Sequence, residues 1–296
     1  MPVIGSVLVL ALAAIGYLVF GGPRHGAEPP APPPPPGCQA GTGNDAIPLD
    51  TGQAGIAATI AGIAVRHRLP ERAVTIALAA ALQESRLENL DYGDRDSVGV
   101  FQQRPSQGWG TTAELEDPVY ATTKFFAALV KIPGYTKMAV DRAAQDVQHS
   151  ADGLAYEQWV GVASQLAGDF TGTSPGGVYC WYTPAGSGVK ADLAGALKQL
   201  TGTFGPQGKD DVLVRATTVR SESKRKTETV AVVHVQRDGD PLAWTVAGWL
   251  VAHAQQYGIS QIRYAGYVWN AANGSMGWQR AAKTASPVPR GSIVAA

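Results

Sequence analysis

Residues 70–82 read PERAVTIALAAAL, and this run limits the possible folds more than any other part of the chain. Pro70 suits a first helical position, where no amide hydrogen is needed, and Glu71 complements the positive end of a helix. After Arg72 nearly every position is apolar, so the spacing predicts a helix buried on most of its sides. Such a helix belongs in the middle of a domain, not on its surface. Glu84 falls in the last turn. There a carboxylate meets the negative end of the helix dipole and is partly desolvated, and both effects favour its protonated form. The plainer alternative is a helix-end glutamate paired with Arg86 or Arg66.

Ser85 follows Glu84 at once, and fifteen residues after Glu84 comes Gly99-Val100-Phe101-Gln102. Between them LDYGDRDSVGVFQQ, residues 90–103, is rich in turn formers and then alternates briefly, as a short strand or hairpin does. This Glu-Ser pair and Gly-x-x-Gln element resemble the catalytic elements of the lysozyme-like superfamily, soluble lytic transglycosylases and goose-type lysozymes above all. More closely still, the run resembles the lysozyme-like domain of exported actinobacterial cell-wall proteins. The resemblance spans roughly residues 38–170 and is carried by residues 83–110.

What the resemblance implies is a peptidoglycan lytic transglycosylase or muramidase, with Glu84 as the general acid. A group that protonates a glycosidic oxygen near neutral pH needs a raised pKa. Ser85, Tyr92, Gln102, Gln103 and Tyr156 would then surround the substrate, with Phe101 or Trp109 offering an apolar surface. Ordinary glycosidases use two carboxylates, and Asp91, Asp94 and Asp96 are near in sequence. Lytic transglycosylases manage with one, the substrate's acetamido group or 6-hydroxyl completing the reaction. Many carry a third element, Ala-Tyr-Asn. The comparable VQHSADGLAY, residues 147–156, lacks the asparagine, which leaves both outcomes open and places less weight on Gln148 and Tyr156. The alternative from another class is a non-catalytic wall-binding or envelope-scaffold protein of the same shape.

Residues 3–20, VIGSVLVLALAAIGYLVF, are just long enough to span a bilayer. The proline-rich stretch after them is expected to act as an extended spacer. With no clean cleavage site, an uncleaved single-pass anchor is expected, leaving residues 38–296 outside the cell, although Arg24 and His25 lie on the side the positive-inside rule disfavours. Cys38 and Cys180 bracket the proposed enzyme region, and in an exported protein such a pair suggests a disulfide. Formal net charge is zero, which points to no nucleic-acid partner. Its distribution is uneven: residues 38–170 carry 10 Lys/Arg against 16 Asp/Glu, and residues 190–296 carry 13 against 7, so an acidic half precedes a basic one. Asp94-Arg95-Asp96 lacks the spacing of a calcium loop, and no cofactor or metal is expected.

The fold class expected is therefore a mainly α lysozyme-like domain plus a small α+β C-terminal domain, preceded by one transmembrane helix. The boundaries are 1–22 for the anchor, 23–37 for the spacer, 38–180 for the enzyme domain, 181–209 for a linker with a short helix, and 210–296 for the α+β domain. Asp50 or Thr51 caps a first helix, Asp117-Pro118 opens another, and Tyr156, Trp159, Val160, Ala163 and Leu166 share a face. In the tail, VLVRATTV and ETVAVVHVQ alternate as strands around a charged turn SESKRKTE, and Asp240-Pro241 opens an apolar helix. ISQIRYAGYVWN and GWQRAA are read as further strands. Trp244, Trp249, Trp269 and Trp278 are read as core rather than as a sugar platform.

Overall fold

Two apolar helices dominate the interior. In the computed structural model, which describes residues 34–149, 155–182, 191–205, 214–223, 226–235, 240–283, 285 and 288–296, α1 is Thr51–Arg66 and α2 is Glu71–Ser85. Asp50 caps α1 by accepting from the Gln53 amide at 2.7 Å while the Gln53 side chain accepts from the Asp50 amide, a capping box. Pro70 is the residue before α2 rather than its first turn, with an extended backbone. From Ala73 to Leu82 every residue of α2 is buried, as its composition requires.

Around α2 lie α4 (Pro118–Leu129), α5 (Val140–Gln148) and α6 (Val160–Phe170), and the short α3 (Thr112–Leu115) packs on α4. Asp117 starts α4 by accepting from the Val119 amide at 2.9 Å. The chain around these helices is not purely helical. β1 (Gly37–Ala40), β2 (Ile47–Leu49) and β3 (Val178–Trp181) form an antiparallel sheet with β1 in the centre. Cys38 and Cys180 are opposite each other in the β1–β3 register and are joined by a disulfide.

The later part contains α7 (Leu193–Phe204), β4 (Val214–Ser223), β5 (Lys226–Val235), α8 (Asp240–Ala252) and α9 (Ala254–Tyr257). Then come β6 (Gln261–Tyr264), β7 (Tyr267–Asn270), β8 (Gln279–Arg280) and β9 (Ser292–Ala295). These strands make a second antiparallel sheet in the order β4-β5-β9-β6-β7-β8. Most of the expected charged turn is strand: β4 runs to Ser223 and β5 begins at Lys226. ISQIRYAGYVWN is a hairpin, with Ala265 and Gly266 at positive φ in its turn.

The expected fold class is corrected on one count. Residues 36–296 form one unit containing two antiparallel sheets, not a helical domain followed by a separate α+β one. The reason lies in α8, which buries Ala243, Trp244, Val246, Ala247, Trp249, Leu250 and Val251. A helix apolar all round needs neighbours on every side, and α8 packs on α1 and α6 from the first half as well as on β3, β6 and β9. Gly62 of α1 admits the Phe204 ring of α7, which a Cβ there would meet at 2.9 Å. The acidic and basic halves are thus joined through shared apolar surface. Among the described residues no helix is long and apolar enough to cross a membrane, and the anchor expected over residues 3–20 lies outside them.

Trp249 and Trp269 are fully buried, and Trp244 nearly so, which makes them core. Trp278 is half-buried and meets Trp244 edge-on at 5.1 Å.

Asp169, near the end of α6, is only 6% exposed, and its Oδ2 meets no hydrogen-bond partner among the described residues. Burial pushes its carboxyl up to about 6, against a weaker pull from the Ser174 hydroxyl. A carboxyl whose folded value lies above its unfolded one stabilises the fold when protonated, so stability is lost as pH rises from about 4 through 6. The loss over that range is about 3 kcal/mol. Asp169→Asn is therefore expected to melt at a higher temperature than the wild type at pH 7.5 and to flatten the difference between pH 5 and pH 7.5. An equal pH dependence in the two proteins would exclude this carboxyl as its source.

Candidate active site

Glu84 projects from the last turn of α2, and Ser85 is the final residue of that helix. Arg86 and Leu87 follow at positive φ, so the chain leaves the helix abruptly. Ser85 is 5% exposed, and its hydroxyl lies 2.7 Å from the Val100 carbonyl and 3.1 Å from that of Ala81. It is thereby a tie between the helix end and the Gly-x-x-Gln segment, not a group presented to substrate.

That segment is the tip of a hairpin. Val98 and Gln103 exchange both backbone hydrogen bonds at 3.1 Å, and the Gln102 amide donates to the Gly99 carbonyl at 3.2 Å. Gly99 has φ +77°, and a Cβ there would stand 2.2 Å from the Leu115 carbonyl oxygen, so both conformation and space require glycine. Phe101 is fully buried and stacks on Phe125 of α4, with ring centroids 4.6 Å apart. The hairpin is anchored by its own side chain rather than offering it as an apolar platform.

The Phe101 carbonyl accepts from Nε2 of Gln148 at 2.7 Å, and the same amide donates to the Glu84 carboxylate. Tyr156, fully buried, donates its hydroxyl to Glu84 Oε1 at 2.6 Å. Consecutive carbonyls at positions 100 and 101 are therefore held by Ser85 and Gln148, and this lays the hairpin beside Glu84. Burial pushes the Glu84 carboxyl above its ordinary range, while the hydrogen bonds from Tyr156 and Gln148 act in the opposite direction. Sequence reasoning gave Gln148 little weight because the neighbouring motif departs from the family pattern. Its position as the last residue of α5, before His149 at positive φ, is a tertiary fact.

Removing the Tyr156 hydroxyl takes away a donor that favours ionised Glu84. In a reaction that uses Glu84 as its acid, Tyr156→Phe is expected to move the alkaline limb of the pH–rate profile to higher pH, with about a tenfold loss of rate. An unmoved limb would mean that this hydrogen bond does not tune the acid.

The remaining expected residues are placed differently. Gln102, at φ +47°, donates its amide to the carbonyls of Tyr92 and Gly99, each at 3.2 Å, and so braces the loop. Gln103 is 3% exposed, with neither amide atom partnered among the described residues. Tyr92 is 68% exposed at the loop surface. Asp96 binds Arg104 Nε at 2.7 Å and the Ser106 amide at 2.8 Å, which hold its carboxyl far below the usual range. Asp91 and Asp94 are exposed. Of the carboxylates that the sequence offered for this site, Glu84 alone combines partial burial, a raised pKa and neutral hydrogen-bonding neighbours.

Behind Glu84, Gln83 accepts from the Trp159 indole at 2.8 Å, and the Arg86 guanidinium lies over the Trp159 ring at 4.2 Å. Tyr156 and Trp159 of the expected face thereby buttress the helix end, although both precede the regular helix. Among the described residues no group of three or more His, Cys, Asp or Glu is arranged to hold a metal. No family model and no curated protein matches the sequence.

Proposed function

We propose that this protein cleaves the glycan strands of peptidoglycan outside the cytoplasm, with Glu84 as the single acid and then base. The observation that carries this reading is the Glu84 carboxyl itself, raised by burial and held by Tyr156 and Gln148 beside a hairpin clamped through Ser85. The Glu-Ser and Gly-x-x-Gln resemblance supplies the substrate class. The disulfide fits an oxidising compartment, and the excess of basic residues in the C-terminal half favours an anionic wall.

In the first step the Glu84 carboxyl gives its proton to the glycosidic oxygen, and the bond from that oxygen to the muramic acid C1 breaks. The substrate's acetamido group stabilises the positive charge left on C1. Glu84, now a carboxylate, takes the proton of the 6-hydroxyl as its oxygen closes on C1, giving a 1,6-anhydro end. Proton and bond counts close without a second carboxylate, in keeping with Asp96 being bound to Arg104 and Asp94 lying in solvent. Attack by water in the second step would instead give a reducing end.

The test is digestion of purified peptidoglycan by the full chain, with the released muropeptides identified by mass. Fragments with 1,6-anhydro ends establish the lytic reaction, and fragments one water heavier establish hydrolysis. Intact glycan strands after prolonged incubation would overturn the proposal.

A further inference from the structure

A cleft of about 360 Å³, within the size range of small-ligand sites, opens at the far end of α6 from Glu84. Trp159, just before α6, donates to Gln83, whereas Thr171, just after it, donates to Glu71 at the start of α2. The 11 residues of α6 span about 16 Å at the rise of an α-helix. Pro175 and Gly176, a few residues beyond Thr171, line the cleft, and Tyr179 of β3, Tyr267 of β7 and Trp278 give it three half-buried rings. Trp244 of α8 braces two of them, meeting Trp278 edge-on at 5.1 Å and Tyr267 at 5.9 Å.

The polar hydrogens of Trp278 and Tyr179 are committed inside the protein. The Trp278 indole donates to the Val178 carbonyl at 3.0 Å, and the Tyr179 hydroxyl donates to Gln39 Oε1 at 2.7 Å. What these two rings present to the cleft is carbon surface held in a fixed orientation. Gly176 and Gly277 add no side chain beside them, where a Cβ would lie 3.4 Å from the Trp278 ring and 3.7 Å from the Tyr179 ring. None of the described residues lining the cleft is charged. The faces of aromatic rings are electron-rich, which disfavours an anion. The Arg280 guanidinium already stands over the Tyr267 ring at 4.5 Å, which disfavours a second cation. The ligand these features select is neutral, with C–H groups to meet ring faces and hydroxyls to meet the exposed Thr42 and Ser275. A pyranose has both.

We propose that this cleft is a second glycan-binding site, in which a sugar ring stacks on Trp278 and Tyr179. The choice of an N-acetylated sugar rests on the glycan-cleaving reading. Because the length of α6 separates the cleft from Glu84, a sugar held here is not the one being cut. Its role is to keep the protein on the glycan strand between cleavage events.

Met276, a lining residue that is 67% exposed, supplies the reporter. The full chain carrying Glu84→Gln and ¹³C-methyl methionine is titrated with the β-1,4-linked trimer of N-acetylglucosamine, so that the outcome does not depend on turnover. The Met276 methyl resonance is expected to shift to saturation. That of Met138, whose carbonyl accepts from Arg72 at the start of α2, should stay in place. Tyr179→Leu removes one ring and should weaken the titration about tenfold. Thr42→Arg places a long side chain at an exposed position of the cleft and should weaken it likewise, with the Met138 signal of each variant reporting an intact fold. Proline-rich peptides also dock on aromatic-lined grooves and are the rival occupant. No Met276 shift up to the solubility limit of the trimer, or an undiminished titration in both variants, would overturn the site. So would a shift produced by a proline-rich peptide and not by the trimer. A retained Met276 response in a protein that fails to digest wall would uphold this site and overturn only the catalytic reading.

Discussion

Glu84→Gln is expected to lower glycan cleavage by at least ~10²-fold, the usual contribution of a general acid. Glutamine keeps the shape and still offers an oxygen to the Tyr156 hydroxyl, now 2.6 Å from Glu84 Oε1, so the local fold should be retained. What it lacks is a proton to give. Stability is not expected to fall, because a neutral amide is easier to bury than a carboxyl that must sometimes ionise. Rate and melting temperature should therefore separate: a large loss in the first with little change in the second. Asp91→Asn and Asp94→Asn change exposed side chains and should leave the rate within a few-fold. Asp96→Asn weakens the contacts to Arg104 and Ser106, so it should act on stability before catalysis. Undiminished cleavage by Glu84→Gln would remove this residue from the mechanism.

The second large effect concerns the Cys38–Cys180 bond, which spans 142 residues. In the chain-entropy model, closing so long a loop contributes about 5 kcal/mol by restricting the unfolded chain. Reduction is expected to lower the melting temperature by roughly 10–15 °C in a unit of this size. The unit should melt in one transition. β3 carries Cys180 and packs on α8, and the Trp269 indole donates to the Cys180 carbonyl at 2.8 Å, so the bond holds both halves. Peptide mapping without reductant should recover the two cysteines in one fragment. Free thiols in exported protein, or an unchanged melting temperature on reduction, would contradict this account.

Local pattern made several features legible. The α2 helix, the Asp50 and Asp117 caps and the β4–β5 pairing follow from periodicity and capping chemistry acting within a few residues. The strands of the first sheet were missed, because Gly37–Ala40 and Ile47–Leu49 are too short for alternation to register. Their pairing partner, Val178–Trp181, lies far along the chain.

At the site the division is sharper. The sequence by itself determined a carboxylate at the end of a buried helix and a glycine-tipped turn soon after it, because both depend on neighbouring residues alone. Only the tertiary structure decided that Ser85 and Gln102 brace the loop, that Tyr156 and Gln148 reach Glu84, and that α8 joins both halves. Those outcomes depend on which carbonyls and apolar faces come within a few ångströms across long separations. Such distances are set by packing, not by local pattern.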